Sequence, residues 1–134
     1  MPRRTDSNNP SDWLYFAAAN LEGLQELARR ELAHVMCRSK LAEVLEKVLK
    51  AELIRLGWTL EKTHDLQKLA GELAALQSEL MPGAKPLCDD LTEAYFSDRY
   101  PGFDLEDPDW PKFRKQLEAV AQLLEAVKAR LAGS

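Results

Sequence analysis

The chain has 134 residues, 46% of them hydrophobic and 30% charged, which suits a single soluble globular domain with one core. Its net charge of -4 is not the basic balance of a free-standing nucleic-acid binder, although it leaves room for a local basic patch. No apolar run approaches the ~20 residues of a membrane span, and the two cysteines, Cys37 and Cys88, have the spacing of neither a metal site nor a disulfide framework, so they read as reduced thiols of a cytoplasmic protein.

Residues 1–10 are polar, carry Arg3 and Arg4, and lack an apolar signal core; they read as a disordered tail before one domain over residues 11–134. Ser11 or Asp12 can cap a first helix. Trp13, Phe16, Ala17, Leu24, Leu27 and Ala28 recur along it at helical spacing. That helix runs to about Leu32, and His34 to Cys37 reads as a joint, with Ser39 able to cap the second helix. In that second helix Leu41, Val44, Leu45, Val48, Leu49 and Leu56 form one stripe. Glu43 with Lys47 and Glu46 with Lys50 are acid-before-base pairs four apart, each contributing about 0.2–0.5 kcal/mol on an exposed face. Gly57 then ends the helix as a C′ glycine.

Thr63 is a natural N-cap for a third helix bearing Leu66, Leu69, Ala70 and Leu73, which puts Asp65 in its first turn. Two prolines and a glycine make Met81 to Pro86 a loop, with a fourth helix from about Leu87 to Ser97. Tyr100 to Asp109 is the least regular stretch, with Asp104, Glu106, Asp107 and Asp109 among its residues. Asp109-Trp110-Pro111 opens a last helix with Phe113, Leu117, Val120, Ala121, Leu124, Val127 and Leu131 on one face. With no strand pattern, the expected fold is all-α: an up-and-down antiparallel bundle of about five helices and no sheet.

Chemistry has few places to sit. No Gly-rich phosphate loop, H-E-x-x-H, G-x-S-x-G or Cys/His zinc spacing occurs, so no metal or cofactor is expected. His34 and His64 are the only histidines. His64, flanked by Lys62 and Asp65 at a helix start, is either a ligand contact or a capping side chain. Arg99 and Tyr100 lie where the fourth helix ends; the Arg either caps that end or clamps a phosphate or carboxylate. Glu43, Glu46, Lys47 and Lys50 read most simply as a solvated, ion-paired face. The acids from Asp104 to Asp109 match no calcium loop and read as a solvated segment. His34, His64-Asp65 and a later Asp89 or Asp98 have the H…HD…D order of metal-dependent phosphohydrolases. That reading needs the ligands to converge on one metal.

Three strings carry a family resemblance: Glu46-Lys47-Val48-Leu49-Lys50-Ala51, Lys62-Thr63-His64-Asp65-Leu66 and Asp98-Arg99-Tyr100-Pro101. In that order on an all-helical chain they resemble the HEPN family, over roughly Trp13 to Leu131. The resemblance implies an antiparallel bundle that pairs into a homodimer and acts beside a small nucleotidyltransferase, often as toxin with antitoxin. It implies a nucleotide or RNA ligand in a groove near the third and fourth helices, with Lys62, His64, Asp65, Arg99 and Tyr100 as site residues. Some members are metal-independent ribonucleases that use an Arg and, four to six residues later, a His. Here no His comes after Arg99; Arg29 and His34 formally satisfy an Arg-x4-His spacing, but at the end of the first helix. The expected function is therefore a binding and regulatory subunit without intrinsic catalysis, with ribonuclease as the alternative and a metal-dependent HD-type phosphohydrolase as a third reading.

Overall fold

The computed structural model describes residues 7–94 and 107–133. These form five helices: α1 (Pro10–Arg30), α2 (His34–Arg55), α3 (Leu66–Ala75), α4 (Met81–Leu91) and α5 (Trp110–Ala132). No strand occurs among the described residues. The protein is an all-α helical bundle, as its Leu- and Ala-rich periodicity requires.

The bundle is organised around α2, which packs against all four other helices. Between Leu41 and Leu53 only Glu43 and Lys47 escape full burial. A helix with apolar neighbours on nearly every side has almost no solvent face. Leu41, Val44, Leu45, Val48, Leu49 and Leu53 are all 0% exposed. Leu14, Ala17, Leu21, Leu24 and Ala28 of α1 close one side of the core, and Phe113, Leu117, Val120, Leu124 and Val127 of α5 close another.

Three helices end in the same way. Gly57 (φ 95), Glu31 (φ 54) and Gln77 (φ 57) adopt left-handed backbone. In each case the next residue's N–H reaches five residues back: Trp58 to Leu53, Leu32 to Leu27 and Ser78 to Leu73. This is the Schellman arrangement, which satisfies carbonyls a helix end would leave unpaired. Glycine reaches that conformation without strain, and only the Gly57 end is legible for that reason. Glu31 is held there partly through its carboxylate, which pairs with Arg114 of α5; the same guanidinium donates to the Ala28 carbonyl.

Several boundaries differ from the sequence reading. The cap of α1 is Asn9, whose side chain accepts from the Ser11 N–H. Residues 7–9 are folded against the helix, where the Ser7 carbonyl accepts from the Trp13 indole N–H at 2.7 Å. Phe16 lies outside the core at 59% exposure, and Leu14 and Leu21 take the buried face. The joint after α1 is Glu31–Ala33; the segment read as a joint, His34 to Cys37, is the first turn of α2, and Ser39 is buried inside that helix. Met81 to Pro86 is helical. Pro82 stands in the first turn, where no N–H is needed, and Ser78 Oγ accepts from the Leu80 N–H. Pro86 removes one hydrogen bond, but Ala84, Leu87, Cys88 and Leu91 keep a buried stripe in register. The expected end of that helix at Ser97 lies outside the described residues.

A buried carboxylate ties the far end of α2 to the rest. Glu52 is 0% exposed. Its oxygens accept from Arg55 Nε at 2.7 Å, Ser78 Oγ at 2.7 Å and Arg130 Nη1 at 2.6 Å. Burial alone would raise its pKa. The hydrogen bonds from Arg55 and Ser78 and the charges of Arg55 and Arg130 outweigh that, and the carboxyl titrates below the ordinary 4.5. A group depressed on folding contributes stability above its unfolded pKa and loses it as pH falls through the folded one. Stability should therefore decline as pH drops below about 4.5, and acid titrations monitored by circular dichroism should show a shallower decline in Glu52→Gln. Leu45→Ala should cost about 2–5 kcal/mol in denaturant melts, because its fully enclosed site cannot collapse.

Candidate functional site

His64 stands just before α3, with its side chain 62% exposed. Its Nδ1 lies 2.9 Å from Oε1 of Glu46, an α2 carboxylate only 8% exposed. The other oxygen, Oε2, accepts from Lys50 Nζ at 2.9 Å, and that lysine side chain is 3% exposed. Lys50 Nζ also sits 5.1 Å from the ring centroid of Trp13 on α1. Four side chains are thus linked contact by contact, from the half-buried Trp13 on α1 through the buried Lys50 and Glu46 on α2 to the exposed His64 at the entry to α3.

This arrangement corrects the reading of Glu46 and Lys50 as a solvated pair. Taking a carboxylate and an ammonium out of water costs several kcal/mol for each ion, and their mutual attraction offsets this only when further partners complete the site. Here the imidazole completes Glu46, and the indole face, worth about 0.5–2 kcal/mol toward a cation, completes Lys50. Glu43 pairs with Lys40 at 2.7 Å. Lys47, half-buried beside this row, has its pKa lowered, first by burial and then by the charges of Lys40 and Lys50, against the opposing pull of Glu43 and Glu46.

The segment leading into α3 holds His64 in place. The N-cap is Asp65, whose Oδ1 accepts from the N–H groups of Gln67 and Lys68. Thr63, expected as the cap, instead turns its hydroxyl to accept from the Asp65 N–H at 3.1 Å. Asp65 is therefore committed to the helix end. Lys62 is exposed and forms no ion pair among the described residues. Behind α3, Gln67 donates to Asp89, and Lys85 donates to both side chains, which ties α3 to α4 at the surface. Arg99 and Tyr100, the other expected site residues, lie outside the described residues.

Among the described residues the alternative chemistries find no geometry. His34 Nε2 accepts from the Asp109 N–H at 3.2 Å, and its ring meets Trp110 edge-on at 4.8 Å. It anchors the start of α5. Arg29 points to Glu26 on the surface, so the formal Arg-x4-His spacing does not form a pair. The H…HD…D ligands are likewise dispersed: His34 on α5, His64 on Glu46, Asp65 on its own helix end, Asp89 on Lys85. No group of three His, Cys, Asp or Glu residues that could hold a metal occurs among the described residues, and Asp98 lies outside them. Both thiols are buried. Burial pushes Cys88 up to about 12 and raises Cys37 as well, so neither is a ready nucleophile.

Sequence reasoning missed Trp13 as part of this site. The available signal was that α2 carries apolar residues on almost all sides, which forces Glu46 and Lys50 inward and obliges them to find partners. A family model described as HEPN domain matches residues 10–130. No curated protein and no solved structure matches the chain. No helix among the described residues is long and apolar enough to cross a membrane.

Removing one member of the buried pair should cost far more than a surface ion pair. Glu46→Ala leaves the Lys50 ammonium enclosed without its counter-charge, and thermal or urea melts should show a loss of about 3–5 kcal/mol. A loss under about 1 kcal/mol would mean that the pair is solvated after all.

Proposed function

The chain belongs to the HEPN domain family, and from that premise we propose that it is a binding and regulatory subunit that works with a nucleotidyltransferase and takes a nucleotide-like ligand at His64. The observation that carries this reading is an imidazole that is exposed yet fixed. Holding a surface side chain in one orientation costs rotamer entropy. A buried ion pair spent on that task is the kind of preorganisation that ligand recognition uses. Lys62 adds a cation two residues away, and Asp65 fixes the backbone on which both depend. Arg99 and Tyr100 complete the proposed ligand set. The family resemblance supports the nucleotidyltransferase partner and the toxin-antitoxin setting.

The same reading has two copies of the chain forming a homodimer. Tyr15 and Phe16, 71% and 59% exposed, meet edge-on on the outer face of α1 with ring centroids 5.6 Å apart. Met36 of α2 is 41% exposed. Aromatic side chains bury large apolar area when covered, which favours a partner surface there.

Catalysis by this chain alone is not part of the proposal. Metal-independent RNA cleavage needs a proton-transfer group and a phosphate-binding cation on the same bond, and the Arg29–His34 spacing builds no such pair. The testing experiment is calorimetric titration with ATP, on material whose mass is measured by light scattering. A dimer that binds ATP, with affinity at least tenfold weaker in His64→Ala and Lys62→Ala, is the expected result. Unchanged affinity in His64→Ala would move the site elsewhere, and a monomer would remove the dimer. Mixed RNA incubated with the protein in EDTA should stay intact; cleavage that vanishes in His64→Ala would place the chain among the ribonucleases. Co-elution with a nucleotidyltransferase encoded in the adjacent reading frame is the expected partner result, and its absence counts against the pairing.

A further inference from the structure

We propose that two copies of the chain meet through the outer face of α1, packed antiparallel, with Gly23 of each copy making room for Ala19 of the other. This rests on the homodimer proposed above; it commits that dimer to one face and one direction.

Asp12, Phe16, Ala19, Gly23, Glu26 and Arg30 follow one another at alternating spacings of four and three. That is the repeat with which one helix offers a seam to another. At about 3.6 residues per turn, these six fall on the side of α1 opposite Leu14, Ala17, Leu21, Leu24 and Ala28, which face the core, and all six are exposed. Phe16 supplies the apolar area, at 59% exposure, and Tyr15 meets it edge-on from the flank of the seam.

Gly23 is the informative member. Glycine inside a helix costs more conformational entropy than alanine and weakens the helix. The chain's own fold has no use for it there. Its φ is not positive, and beyond its own helix backbone no atom comes within 4 Å of where a Cβ would stand. The room is used when a second backbone comes close, and Ala19, one turn before Gly23, is small enough to occupy it.

Charge sets the direction. A parallel pair would put Asp12 against Asp12, Glu26 against Glu26 and Arg30 against Arg30. An antiparallel pair with Ala19 level with Gly23 of the second copy puts Asp12 opposite Arg30 at both ends. It lays Phe16 over the stem of Glu26, whose carboxylate is already held by Arg29. Both end groups are available. Among the described residues Arg30 forms no hydrogen bond or ion pair, and the Asp12 carboxylate accepts only from the Ser7 hydroxyl.

The test is the dimer dissociation constant, read by light scattering and sedimentation over a dilution series. Asp12→Arg and Arg30→Asp should each weaken the dimer at least tenfold. The double variant should return to within about threefold of the wild type, because only the antiparallel pair has an opposite-charge contact to rebuild. Gly23→Gln should also weaken the dimer at least tenfold. Its folding is not at risk, since glutamine favours helix over glycine and points into open space; circular dichroism should show undiminished helix. A wild-type dimer with unchanged affinity in Gly23→Gln overturns this face and leaves the homodimer standing on another. Single reversals without effect, or a double variant that stays dissociated, overturn the direction. A wild type that is monomeric throughout the series overturns the homodimer and this interface together.

Discussion

A helix enclosed on nearly every side must find an internal partner for each polar group it carries, and α2 carries several. Its two buried carboxylates solve the problem differently. Glu52 gathers Arg55, Ser78 and Arg130, drawing α5 and the turn after α3 onto one end of the helix. Glu46 takes Lys50 from its own helix and His64 from the segment entering α3. The apolar core supplies most of the stabilisation. The polar residues of α2 decide which loop sits where, because an unpaired charge at those positions costs more than any alternative packing gains.

The two ends therefore do different work. At the Glu52 end every member of the ion-pair group but Glu79 is at least half withdrawn from solvent, and the two guanidinium groups leave the carboxylate no further role. At the Glu46 end the contacts reach a ring exposed at the surface. That contrast within one helix marks the His64 end as the place where structure is turned outward.

Much of the bundle was legible because burial and periodicity coincide. Most of the apolar stripes of α2, α3 and α5 appear in the sequence as they appear in the core, although Leu56, Ala121 and Leu131 are only partly buried and Leu53 and Leu123 join the core, and Gly57 announces its helix end through its conformation. The reading failed where a local rule was overridden. Pro82 and Pro86 suggest a loop, yet the first occupies a helix turn that needs no N–H, and the stripe from Ala84 to Leu91 outweighs the bond the second removes. Glu31 and Gln77 end helices in a conformation that residue type does not advertise. Glu46 and Lys50 carry the spacing of a surface pair, and only the apolar character of their flanking positions shows that the surface is missing. His64 could be singled out from its position beside Asp65, but its partner, 18 residues away in sequence, could not.

The stacking of Lys50 on Trp13 also gives the molecule an optical handle. Excitation of an indole moves electron density across its ring system, so its emission colour depends on the charge lying over the ring. Trp13 carries such a charge at 5.1 Å, and that ammonium is one hydrogen bond from the carboxylate that holds His64. Trp58, just beyond the end of α2, and Trp110, packed edge-on against His34 and Phe113, stand in other surroundings. A rearrangement at the imidazole that reaches the Glu46–Lys50 pair would thus change the colour of light emitted from α1, with no label attached.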